Sequence, residues 1–121
     1  MKTIIYFVSE DWYFCSHRLP IARKALAKGF KVVVVTRVDK HRDVIESEGF
    51  ELASIEIKRG GMNLLSEFKT LSTLYSYYKK YNPDIVHHVA IKPVIYGTLV
   101  ARFIGSIKIV NAMAGLGFIF I

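Results

Sequence analysis

Asn82-Pro83-Asp84-Ile85-Val86-His87-His88-Val89-Ala90-Ile91-Lys92-Pro93-Val94-Ile95-Tyr96 is the stretch that decides the fold. It reads as a helix stop, a short buried strand, a polar loop and a new helix start. Asn-Pro ends whatever precedes it, because proline lacks an N–H and restricts its neighbour. Ile85-Val86 forms the apolar core of a strand, and two histidines follow where that strand emerges. Pro93 suits a first helical turn, where a missing N–H costs nothing. In an open parallel α/β sheet, ligands sit outside the carboxyl ends of the strands. His87, His88 and Lys92 fall there.

Adjacent residues of a strand point to opposite faces, so one histidine is expected to pack into the sheet and the other to face the cleft. The pair cannot readily share a metal ion. No nearby carboxylate or cysteine completes a ligand set, and no metal or cofactor is expected.

Outward from this stretch, five apolar runs rich in β-branched residues recur at 3–8, 31–36, 51–57, 84–87 and 107–111. Val32-Val33-Val34-Val35 is apolar throughout, as a strand buried on both faces requires. Helical patterns separate the runs. Ser16 is a candidate cap for a helix carrying Ala22, Ala25 and Leu26 and ended by Gly29. A short helix over 40–48 stops at Gly49. From 63 to 81, Leu64, Phe68, Leu71, Tyr75 and Tyr78 form one apolar stripe, with Asn63 as N-cap and Glu67 at the positive helix start. The last helix runs from 93 to 103 or 104 and ends at Gly105. This alternation predicts a doubly wound, Rossmann-like parallel sheet of order 3-2-1-4-5.

At 121 residues the chain is one domain, and 52% hydrophobic with 22% charged residues excludes disorder. Cys15 is the single cysteine, so no disulfide framework exists and a reducing cytoplasm fits. The apolar run at 3–8 is cut off by Ser9-Glu10-Asp11, too soon for a signal peptide. The formal net charge of +7 favours an anionic partner, a phosphorylated substrate or an acidic lipid surface. Basic residues are scattered without a tail or an aromatic-basic RNA motif, which argues against nucleic acid.

The first loop, 9–16, has no glycine, so the G-x-G-x-x-G needed for dinucleotide pyrophosphate is missing. Instead it leads through Trp12-Tyr13-Phe14 to His17 and Arg18, expected in the first turn of the following helix. Free N–H groups there suit phosphate or a sugar hydroxyl. Lys58-Arg59-Gly60-Gly61-Met62-Asn63 is a second basic loop before a helix. Gly115-Leu116-Gly117, after the fifth strand, suits close approach of a sugar or phosphate.

Taken in order, Trp12-x-Phe14-x-Ser16-His17-Arg18-Leu19-Pro20, Arg59-x-Gly61-Met62-Asn63, Pro83-Asp84-Ile85-Val86-His87-His88-Val89-Ala90-Ile91-Lys92-Pro93-Val94-x-Tyr96-Gly97 and Val110-Asn111-Ala112-Met113-Ala114-Gly115-Leu116-Gly117-Phe118 resemble the N-terminal domain of family-four glycosyltransferases. The nearest group is the bacterial capsule, exopolysaccharide and lipid-linked oligosaccharide transferases. The resemblance implies one half of a GT-B fold, which receives a saccharide acceptor, often on a polyprenyl diphosphate at the cytoplasmic membrane face. A C-terminal domain would bind the nucleotide-sugar donor, and transfer would retain the anomeric configuration without a metal. That second domain is absent here, and the apolar ending Phe118-Ile119-Phe120-Ile121 suggests a truncated chain. His17, Arg18, Arg59, Asn63, His87, His88, Lys92 and Gly115-Leu116-Gly117 are the acceptor-binding candidates. His88 and His17 are the catalytic ones. The family often has a histidine after the fifth strand, where this chain has Asn111, Ala112, Met113 and Ala114, so no base is assigned there. Two alternatives stand: a non-catalytic subunit of a split transferase, or half of a GT-B-fold nucleotide-sugar epimerase, for which Glu10 and Asp11 are the first-loop acid–base candidates.

Overall fold

The computed structural model describes residues 1–57 and 63–112. Their elements alternate as β1 (Thr3–Glu10), α1 (Asp11–His17), α2 (Leu19–Ala27), β2 (Lys31–Arg37), α3 (Arg42–Ser47), β3 (Glu51–Ser54), α4 (Leu64–Tyr81), β4 (Ile85–Val89), α5 (Ile91–Ile104) and β5 (Lys108–Ala112). The five strands make one parallel sheet, ordered β3-β2-β1-β4-β5. That is the order expected from the sequence.

The sheet divides the core in two. Val33 and Val35 of β2 face the side of Ile5, Phe7, Leu74 and Tyr78. Val32 and Val34 face Tyr6, Phe14, Ala22 and Ile45. Burial on both faces explains why the valine run is uninterrupted. Asp84 fastens the sheet's amino edge: its Oδ2 accepts the Thr3 N–H at 2.9 Å, while its own N–H donates to the Thr3 carbonyl at 2.9 Å. Asn82 ends α4 in the left-handed conformation, φ 46°.

The helices depart from expectation in four places. The segment after β1 is helical from Asp11, so Trp12-Tyr13-Phe14 lies on α1 rather than in a loop. Ser16 caps nothing; its Oγ bonds the Tyr13 carbonyl, and Arg18 occupies the junction before α2. α5 starts at Ile91, which places Pro93 inside its first turn.

The fourth difference concerns α4. Its buried residues are Thr70, Leu74 and Tyr78, whereas Leu64 is 78% and Phe68 73% exposed. The predicted stripe shares only Tyr78 with that fully buried set. On α5, Pro93, Gly97, Val100 and Ala101 face inward, leaving Ile91, Ile95, Leu99 and Phe103 outside. Tyr75 and Phe103 touch at 5.9 Å between ring centroids and join the two outer faces into one apolar surface. Among the described residues, no helix is long and apolar enough to cross a membrane.

Asn63 caps α4 as expected, its Oδ1 accepting the N–H groups of Leu65 at 3.1 Å and Ser66 at 3.3 Å. Asn63→Ala is expected to cost about 1 kcal/mol, read as a lower urea midpoint at unchanged slope.

Candidate functional site

The order of the sheet reverses between β1 and β4, and the crevice outside their carboxyl ends is the natural ligand position. On the α1–α2 side of that crevice, Tyr6 pairs in register with His87. Their rings lie 5.2 Å apart. Arg18, at the α1–α2 junction, is close enough for its charge to act on both. Burial first, and the Arg18 charge second, push the His87 pKa below the ordinary imidazole value, so the ring is neutral at pH 7. Among the described residues, two atoms here are buried without a hydrogen-bond partner, Arg18 Nε and His87 Nε2. Native interiors rarely leave such groups unmatched, and a ligand is one of the things that matches them.

His17 closes α1 instead of opening the next helix. Its exposed ring stacks on Tyr13 at 4.0 Å, and Nδ1 lies 2.6 Å from Ser16 Oγ. It stands at the surface beside Arg18, whose Nη1 donates to the His17 carbonyl.

His88 points to the opposite face and is fully buried. Asn111 Nδ2 donates to Thr98 Oγ1 at 3.0 Å, which leaves Asn111 Oδ1 to accept from His88 Nδ1 at 2.8 Å. The proton therefore belongs on Nδ1, and Nε2 accepts the Tyr78 hydroxyl at 2.8 Å. Desolvation pushes the His88 pKa down to about 4, against the raising effect of the Asn111 bond. With both ring nitrogens committed inside the core, His88 positions α4, α5 and β5 around β4. A group so enclosed cannot touch a substrate, which corrects its place among the catalytic and acceptor-binding candidates.

Lys92 lies in the first turn of α5 with its Nζ 3.6 Å from Glu67, so its charge is shared with α4. Asn63 spends its side-chain oxygen on the α4 cap. Arg59, Gly115, Leu116 and Gly117 lie outside the described residues. Asp11 is fully buried; its Oδ2 accepts the N–H groups of Asp39 at 2.7 Å and His41 at 3.0 Å. Burial opposes its charge, but the N–H groups of Asp39, His41 and Trp12 and the His41 charge outweigh it, holding the carboxyl below the ordinary value. Asp11 thus pins the β2–α3 connection and remains ionised. Among the described residues, no three His, Cys, Asp or Glu side chains converge to hold a metal.

The sequence pattern of residues 3–120 matches the family described as glycosyl transferase 4-like. The chain belongs to that family. The fold agrees: Acinetobacter baumannii MurG superposes with a TM-score of 0.69 at 17% identity, over 92% of this chain and 34% of MurG. A Rickettsia africae glycosyltransferase gives 0.69 at 18% identity, over 91% of this chain and 29% of that one. The UDP-GlcNAc 2-epimerase of Neisseria meningitidis gives 0.62 at 14%, over 92% and 32%. The chain therefore spans about a third of the length of these three enzymes. No match was found among curated proteins.

One feature of this glycosyl transferase 4-like domain gave no signal in the sequence. Ala90, between β4 and α5, has φ 80° and ψ 170°, a region that is essentially glycine's alone. Its N–H donates to the Ala112 carbonyl at 2.9 Å, which ties the strained turn to β5 at the mouth of the crevice. Ala90→Gly is expected to relieve the strain and stabilise the domain by about 1 kcal/mol, measured by thermal unfolding.

Proposed function

We propose that this chain is the acceptor-side half of a glycosyltransferase. The enzyme would move a sugar from a nucleotide-sugar to a saccharide carried on a lipid diphosphate, in the synthesis of a cell-surface polysaccharide. A donor-binding domain completes the active site, and the chain alone has no transferase activity. Retention of anomeric configuration and independence of metal rest on the family resemblance.

The carrying observation is the pair of unmatched polar atoms, Arg18 Nε and His87 Nε2, in the crevice of a glycosyl transferase 4-like domain. Arg18 can donate to a phosphate oxygen, a charge-assisted bond of the stronger kind. His87, kept neutral, can bond a sugar hydroxyl. The net charge of +7 favours the same anionic acceptor. The exposed Phe68, Tyr75, Leu99 and Phe103, with Lys69 and Arg102 beside them, suit the surface of an acidic membrane where such acceptors reside. Each such cation is worth about 1 kcal/mol near anionic lipid. The epimerase alternative is disfavoured, because Asp11 is buried under backbone N–H groups and Glu10 is clasped by Arg37.

The test is sugar transfer by the complete enzyme, with a panel of nucleotide-sugars and polyprenyl-diphosphate saccharides. Arg18→Ala is expected to lower kcat/KM for a diphosphate acceptor at least about tenfold, or roughly 1.4 kcal/mol, and to spare an acceptor lacking phosphate. Equal loss for both acceptors would contradict the assignment.

A further inference from the structure

Resting on the transferase reading, but on a different part of the surface, we propose a subsite for an uncharged pyranose between the carboxyl ends of β1 and β2. Among the described residues, a cavity of about 340 Å³ there is lined by Glu10, Trp12, Arg37 and Ile57. That volume lies within the usual range of small-molecule pockets. Trp12 stands at the first turn of α1 with 48% of its surface exposed, an uncommon state for an indole. Glu10 is the last residue of β1 and buried, whereas Arg37, the last of β2, is half-exposed. Arg37 Nη2 and Nε approach Glu10 Oε1 at 2.8 and 3.0 Å, and Nε approaches Oε2 at 3.3 Å.

The chemistry of this wall selects its ligand. An indole face and Ile57 offer apolar surface to the C–H face of a sugar ring, while its vicinal hydroxyls need a fixed acceptor and donor at the rim. The clasped carboxylate and guanidinium supply both, already oriented by each other. The carboxylate would repel a phosphate placed beside it. The Arg18–His87 region has the opposite character: a cation and a neutral ring, with no carboxylate paired to Arg18 among the described residues. An acceptor with a charged anchor and an uncharged sugar therefore finds the two chemistries on separate parts of one sheet edge.

Trp12 is the single tryptophan, so tryptophan fluorescence reports on its surroundings. The 121-residue chain is titrated with methyl α-D-glucopyranoside and with N-acetylglucosamine. A saturable change in emission is expected, half-complete in the millimolar range typical of single sugars, about 1 to 10 mM. Arg37→Gln, on the exposed member of the pair, should weaken it at least about tenfold. Trp12→Ala, followed by saturation-transfer NMR of the sugar protons, should abolish binding while leaving the urea midpoint near that of the parent chain. No response to either sugar up to about 100 mM, an undiminished response in Arg37→Gln, or displacement of the sugar by sodium pyrophosphate would each overturn the subsite. Sugar transfer by the complete enzyme with a silent Trp12 would reject the subsite and keep the transferase reading. A sugar response in an enzyme that transfers nothing would reject the reading and keep the subsite.

Discussion

Gly97→Ala is expected to destabilise the domain by about 3 kcal/mol, although alanine is the better helix former by about 1 kcal/mol. The sign is decided by what α5 packs against. A Cβ at position 97 would lie 2.1 Å from His88 Nε2, 2.3 Å from Cδ2 and 2.6 Å from Cε1. The ring cannot retreat cheaply, because Tyr78 holds one nitrogen and Asn111 the other. Breaking either bond leaves a buried polar group unmatched, at about 1–3 kcal/mol, and forcing a methyl into a filled core costs a similar amount. Against a typical domain stability of about 5–15 kcal/mol this is a large fraction. The urea midpoint measures it. Gly97→Ala combined with His88→Ala should lose less than the two single changes together, since the second removes the obstacle to the first. A neutral or stabilising Gly97→Ala would show that helix and sheet do not meet as described.

The second large effect is acid sensitivity. His88 has its pKa pushed from 6.5 to about 4 in the folded chain, so between those values the unfolded chain binds the extra proton. Stability is therefore complete above pH 6.5, falls as the pH drops toward 4, and levels below it. At 1.36 kcal/mol per unit the loss is about 3 kcal/mol. His87, also pushed down, adds in the same direction. Asp11, held below the ordinary carboxylate value, contributes stability that is lost only at still lower pH. His88→Gln should flatten the dependence of unfolding free energy on pH between 7 and 5. Nitrogen NMR of the parent chain should find His88 protonated at Nδ1 and unchanged over that range. A His88 ring titrating near 6.5 in the folded protein would contradict the buried assignment.

Much of this architecture was legible because it rests on local patterns. Uninterrupted valine announced a strand buried on both faces, Asn63 and Gly105 marked helix limits, and strand alternation sent His87 and His88 to opposite sides. Other features depend on partners distant in sequence. Tyr78 and Asn111 are 10 and 23 residues from His88, and no spacing rule links them. On α4 the apolar residues make two overlapping stripes, and the sheet chose the one through Leu74 and Tyr78. The early start of α1 was hidden because Glu10 makes no side-chain cap and three aromatics in succession are poor helix formers. Arg18 and His87 were recognisable as polar residues near strand ends. That their buried nitrogens lack partners is visible only in three dimensions.

The most direct measurement is an NMR titration of the 121-residue chain with sodium pyrophosphate, observing the Arg18 Nε–H and the His87 ring. Both signals are expected to move together and saturate, Arg18→Ala to abolish the His87 response, and the Trp12 indole signal to stay in place. Pyrophosphate that leaves Arg18 and His87 unmoved, while shifting only scattered surface lysines, would contradict an anionic acceptor held at the carboxyl ends of β1 and β4.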